Sequence, residues 1–255
     1  MEIKSIKDLY AELFITCSND SNFMKNSHFV AMRGEHYINS DKKVMIIGRA
    51  PNGWKRLDTS SKDGFSNDAA NEFDDIKRWG KWIKCYGNKQ YAIDETTGEE
   101  LQPRYCVSGK PFWSYSKAIY FGLTNQKVEG LWQHNIAWSN LYKVSPSSGY
   151  NPDVDNQKMQ LQPCIAILKK ELEELDPDYV LFMTGYDWFE PFKQIFESIN
   201  DKGERNCCRG ADKNEHFVEC TARFGKSKIV VACRPEHRIK DKYVGVILRA
   251  FEEMI

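Results

Sequence analysis

Three clusters of residues in this chain have the types and spacing to do chemistry. The first is Gly48-Arg49-Ala50-Pro51-Asn52-Gly53, where the apolar run Val44–Ile47 stops abruptly in small, turn-forming residues. A buried strand ending this way exposes backbone, and ligands of open α/β sheets bind at the carboxyl ends of the strands. The second is Asn140, within Trp138-Ser139-Asn140-Leu141-Tyr142-Lys143. Its amide both donates and accepts, although Asn also serves simply to shape turns. The third is the basic run Arg234, His237, Arg238 and Lys240, which follows the apolar segment Ile229–Cys233. A guanidinium there can stabilise an oxyanion or hold a phosphate, and a basic stretch at the end of a strand and the start of a helix suits phosphates. A solvated helix entrance has the same composition.

Such residues need a scaffold that gathers strand ends. The 3–4 spacing of Ile6, Leu9, Leu13 and Phe14 predicts a helix over 5–17. Residues 55–71 read as a long polar loop, and the steps Phe73, Ile76, Trp79 and Ile83 predict a helix over 70–84. The segment 86–104 reads as irregular, with a hairpin at Thr97-Gly98, and Phe112–Leu123 reads as a helix after Pro111. Strands are expected at His134–Leu141, Tyr179–Met183, His216–Cys220 and Ile229–Cys233. A long helix over 157–175 places Leu161, Ile165, Leu168 and Leu172 on one face and halts at Asp176-Pro177. Further helices are expected across Trp188, Phe192, Ile195 and Phe196, and across Tyr243, Val246, Ile247, Ala250 and Phe251. This alternation predicts an α/β protein with a parallel sheet covered by helices on both faces. One domain over 1–255 is expected, with a long insertion at about 55–111.

Composition narrows the function classes. The 255 residues carry a formal net charge of zero, so a polyanion must be met by a local patch rather than by the whole molecule. No apolar run approaches a membrane span, and MEIKSIKDLY lacks the apolar core of a signal peptide. The eight cysteines form no CxxC pair and read as reduced thiols, so a cytoplasmic location is expected. The strand-end loop lacks GxGxxG, and there is neither a Walker A loop nor a GxSxG elbow. Cys–His zinc spacing is also absent, so no metal is expected.

In order and spacing the motifs resemble those of the uracil-DNA glycosylase superfamily. Gly48-Arg49-Ala50-Pro51-Asn52-Gly53 looks like its first motif, a Gly-x-x-Pro turn after the first strand. Trp138 through Pro146 resembles its strand-borne Asn with a following Lys and Pro. Residues 161–185 are similar to its helix, turn and strand ending in Gly, and Val231 through Arg238 stands at its second motif, normally His-Pro-Ser. Together these cover most of residues 43–240. The resemblance implies a three-layer α/β/α fold with a central four-stranded parallel sheet. It also implies excision of uracil or a related deaminated base from DNA by base flipping and N-glycosidic hydrolysis. The partner implied is DNA, uracil-containing or single-stranded. The alternatives are a lapsed relative that binds nucleic acid or a free base without cleaving it, and a small-molecule or nucleotide-binding protein using the same cleft.

On this resemblance Gly48, Arg49, Ala50 and Pro51 would line the base pocket, and Asn140 would read the base. Phe112 would stack on it, with Phe65 as rival. Arg49-Ala50 departs from the acidic or amide pair that usually holds the hydrolytic water. Asn52, or Asp58 or Asp63 from the following loop, is left for that role. Arg234 stands where the catalytic His is usual, and would aid the leaving base or hold a phosphate beside His237, Arg238 and Lys240. Some relatives hold an iron–sulphur cluster through four cysteines. Here Cys164 falls where the last would be, but Val144 replaces one and the N-terminal CxxC is missing, so no cofactor is expected.

Overall fold

The computed structural model describes residues 4–20, 23, 26–51, 57–77, 109–126, 132–146, 149–203 and 216–254, with the backbone of 83–84, 91–93, 100–103 and 105–106. The chain opens with helix α1 (Ile6–Cys17), whose capping box pairs Ser5 with Asp8. Two short strands follow, β1 (Ser27–His28) and β2 (Met32–Arg33), and then β3 (Val44–Gly48), buried along its whole length. Helix α2 (Lys62–Asp74) comes next, and four small strands follow it: β4 (Ile83–Lys84), β5 (Tyr91–Ile93), β6 (Glu100–Pro103) and β7 (Tyr105–Cys106). Helix α3 (Pro111–Thr124), strand β8 (Ile136–Asn140), the two-residue β9 (Val144–Ser145) and the long α4 (Val154–Leu175) lead to β10 (Tyr179–Phe182). The chain ends with α5 (Tyr186–Phe189), the strands β11 (Glu197–Asp201), β12 (Val218–Phe224) and β13 (Ser227–Ala232), and helix α6 (Lys240–Glu252).

Among the described residues the central sheet has seven strands in the order β11-β12-β13-β10-β3-β8-β2. Its inner four, β13, β10, β3 and β8, are all parallel. The four-stranded parallel core expected from the sequence is therefore present, but antiparallel strands extend it on both sides. The reason is local: Phe224–Ser227 closes a tight hairpin around Gly225 at φ +53°, so β12 must run against β13. Successive side chains of the core strands enter opposite cores. Met45, Ile47, Val180, Phe182, Ile229 and Val231 pack with α1, α2 and α4. Val44, Ile46, Leu181 and Val230 pack with α3 and α6. The result is three layers. Helix α6 alone buries Tyr243, Ile247 and Phe251, each worth about 1.5–3 kcal/mol on leaving water.

Helix α2 begins at Lys62, within the 55–71 stretch expected as loop, and is capped by the Ser61 hydroxyl accepting from the Gly64 amide. Its stripe is Phe65, Ala69 and Phe73, and the helix stops at Asp75; Ile83–Lys84, expected as helix, are strand, and 78–82 lie outside the described residues. Only a four-residue helix carries Trp188, and a 3-10 turn spans Glu190–Ile195. Strands β5 and β6 pair antiparallel across the Thr97-Gly98 position; the turn itself lies outside the described residues. No helix among the described residues is long and apolar enough to cross a membrane.

Candidate nucleobase pocket

The chain passes from β3 to β8 on one side and, after α4, returns to β10 on the other side of β3. Such a reversal opens a crevice at the carboxyl ends of the strands. Gly48 ends β3 in register with Asn140, which ends β8. The pairing continues past both ends, with the Leu141 amide donating to the Gly48 carbonyl at 2.9 Å and the Tyr142 amide to the Arg49 carbonyl at 3.0 Å.

Gly48 is glycine for lack of space. A Cβ there would stand 2.5 Å from Asn140 Oδ1 and 3.7 Å from Phe112 Cε2. These two numbers bring together three residues from three distant parts of the sequence. Asn140 is only 2 % exposed, yet its Nδ2 has no hydrogen-bond partner among the described residues. A buried amide donor left unmade costs about 1–3 kcal/mol, so its persistence points to a ligand that completes it. Phe112 lies in the first turn of α3, half-buried, its ring 5.1 Å from that of Trp113 and nearly perpendicular to it. The rival ring, Phe65, is fully buried among Tyr10, Phe14, Phe23 and His28.

Arg49 turns away from Asn140. Its Nε donates to the Thr184 carbonyl at the end of β10, at 2.7 Å, and its guanidinium lies 4.9 Å from the ring centre of Trp188. Burial, and then the charge of Arg234, bring its pKa down to about 10 against the opposing pull of Glu236, Glu219 and Asp187. Next to it Gly185 adopts φ +80°, and a side chain there would meet Arg49 Nη2 at 3.4 Å and Glu219 Oε2 at 3.6 Å. Ala50 packs on the core and Pro51 is buried. Asn52 lies outside the described residues. The Ser60 hydroxyl, and then the Ser60 amide donating at 2.8 Å, hold the Asp58 carboxyl below the usual range. Asp63 sits in the first turn of α2.

The loop after β13 holds Arg234, His237 and Arg238, and Lys240 opens α6. Its positive charge is partly spent. Arg234 is half-exposed and grips Glu236 with both Nε, at 3.0 Å, and a terminal nitrogen. His237 takes a left-handed φ of +65° and is exposed. The Arg238 carbonyl accepts from the Tyr115 hydroxyl at 2.6 Å, which ties this loop to α3 one turn beyond Phe112. Lys240 Nζ lies 5.9 Å from the Tyr115 ring centre.

Sequence reasoning left three charged residues without a role. Glu219 is 3 % exposed, and its Oε2 accepts from the Tyr186 amide at 2.6 Å. Lys143 and Glu171 form a wholly buried ion pair at 2.8 Å directly behind Asn140. A signal for Glu171 was present: three residues after Leu168 and four before Leu175, it falls on the apolar face of α4.

A family model described as the uracil DNA glycosylase superfamily matches residues 35–243. The chain belongs to that superfamily. The match spans the strands and loops that meet at the crevice, from before β3 into the start of α6. A search of curated proteins found no match to the chain. Burial pushes the thiols of Cys17 and Cys164 up to about 12, and Val144 is packed in the core; among the described residues no three His, Cys, Asp or Glu side chains are grouped to hold a metal.

Proposed function

We propose that this superfamily member takes a flipped uracil, or a related deaminated base, from DNA into the slot between Gly48, Asn140 and Phe112. The observation that carries this reading is the buried Asn140 carboxamide, whose Nδ2 has no partner among the described residues and whose Oδ1 sits against Gly48 beside the ring of Phe112. An amide donor answers a pyrimidine carbonyl, and the adjacent Oδ1 answers the ring N–H. The Phe112 ring gives the base a surface to stack on.

Cleavage of the N-glycosidic bond puts negative charge on the departing base and positive charge on the sugar. A fixed donor at the base oxygen is what such a step most needs, and removing one costs about 10²–10³ in rate. Asn140 would supply that donor, and Arg234 would add charge only on release from Glu236. Arg49 cannot act as a base. Asn52 remains the candidate for holding the water, so the finer assignment of catalysis rests on Asn140, Arg234 and Asn52. A second reading, capture of the base without cleavage, draws on the engagement of Arg49 with Thr184 and Trp188, which puts no acceptor at the position that usually organises water.

The deciding experiment incubates the protein with single- and double-stranded oligonucleotides containing one uracil, followed by alkali. Strand breaks at uracil, lost in Asn140→Ala, are expected. Uracil-dependent binding without breaks would leave the capture reading, and absence of both would overturn the proposal.

A further inference from the structure

Asn140 does not hold its position alone. Its backbone carbonyl accepts from Lys143 Nζ at 2.7 Å, and the same ammonium reaches Ser139 Oγ at 2.7 Å and Glu171 Oε2 at 2.9 Å. All three residues are fully buried. Ser139 in turn donates to Glu171 at 2.7 Å. About three turns nearer the start of α4, Gln160 clamps the neighbouring stretch of backbone. Its carbonyl accepts the amides of Lys143 and Val144 at 3.1 and 2.9 Å, and its Nε2 donates to the Val144 carbonyl at 2.9 Å.

Stability alone is a poor account of this network. Moving two charges out of water costs several kcal/mol per ion, and apolar pairs of equal volume commonly do as well or better. What an apolar pair cannot do is fix the carbonyl of one chosen residue. All three donors of the ammonium are used, and one of them goes to the peptide whose side-chain amide lacks a partner among the described residues.

We propose that Lys143, held by Glu171 and Ser139, is the positioning residue for Asn140. It pins the end of β8 so that the side-chain amide faces the slot over Gly48. The inference rests on Asn140 being the group that reads the base.

The test exchanges the pair. Lys143→Met with Glu171→Leu removes both charges at similar volume and is expected to fold, with a thermal midpoint within about 4 °C of wild type. On a uracil-containing single strand its kcat falls about 100-fold, the scale for a misplaced catalytic group, while KM stays within about twofold. The carboxamide NH2 signals of Asn140, assigned by their loss in Asn140→Ala, move and broaden in a nitrogen-15 spectrum. Lys143→Gln with Glu171→Gln is the second variant. It keeps a polar pair but ends one bond short of the Asn140 carbonyl, so it gives the same loss if the first exchange does not fold. A folded double variant with wild-type kcat and unmoved Asn140 signals overturns the proposal. Should the wild-type protein neither cleave nor bind uracil strands, the functional reading fails by itself. The Asn140 signals then decide the positioning role alone: moved signals uphold it and unmoved signals overturn it.

Discussion

Gly48→Ala is the most informative single change. The backbone of β3 accepts alanine there, since Gly48 is not among the residues at positive φ. The added methyl would sit 2.5 Å from Asn140 Oδ1, and tolerable contacts begin at 3.0 Å and become ordinary at 3.4 Å. The carboxamide must therefore retreat by roughly 0.5–0.9 Å, the difference between those separations. It has little room to do so, because it is buried and tethered through the Asn140 peptide to Lys143. An off-rotamer shift costs about 0.5–1.5 kcal/mol, while alanine in a strand regains about 0.5–1 kcal/mol of chain entropy over glycine. Net stability should move by no more than about 1 kcal/mol, whereas a displacement near 1 Å in a catalytic group costs about 100-fold in rate. The assay is single-turnover cleavage of a uracil-containing single strand, with urea melts of the same preparations. If Gly48→Ala cleaves at the wild-type rate while Asn140→Ala does not, the slot is not where the base sits. Equal loss of rate and of fold would also refute the reasoning, because the clash is confined to one side chain.

Three further outcomes follow from the same geometry. Phe112→Ala should weaken uracil-strand binding by about 5–150-fold, the scale of losing 1–3 kcal/mol of stacking, with little change in thermal midpoint because the ring is half-exposed; fluorescence anisotropy checks this. Glu236→Gln should tighten single-strand binding at low salt and steepen its salt dependence by about 0.7, because it frees Arg234 for one more phosphate. An unchanged salt slope would show that this loop does not touch the strand. Burial pushes the thiols of Cys17 and Cys164 up to about 12 and that of Cys233 up to about 11. Above pH 9 the unfolded chain releases these protons while the native state keeps them, so stability falls as pH rises from 9 towards 11–12. The loss is about 1.4 kcal/mol per pH unit for each thiol and should be visible in urea melts at pH 8 and 10, flattening in Cys164→Ala.

The parallel core was legible because its strands are short apolar runs buried on both faces: Val44–Ile47 and Tyr179–Phe182 need no alternation to be seen. Helix α2 was missed because its stripe is only Phe65, Ala69 and Phe73 in a background of Asp, Asn, Ser and Gly, and the apolar residues beyond it suggested a different register. Strand β11, Glu-Ser-Ile-Asn-Asp, has no apolar alternation because every residue in it is exposed. At the site, Asn140 and Gly48 were visible as types in motifs, but their contact is a matter of register between strands. The Lys143–Glu171 pair was harder still: 28 residues separate the two, and only the packing of α4 behind β8 joins them.

The polar β11 also bears on how the molecule behaves in a crowded solution. It is the outermost strand on its side of the sheet, the kind of border that invites a neighbouring chain to add another strand. Here the border is spoiled. Acidic residues stand at both ends, Ser198 takes φ +51°, and the pairing register slips between Glu197 and Asn200. On the far side β2 is only two residues long. A seven-stranded sheet with both margins blunted in this way resists edge-to-edge aggregation, so its aromatic crevice can stay open for a ligand without turning the sheet into a template for fibrils.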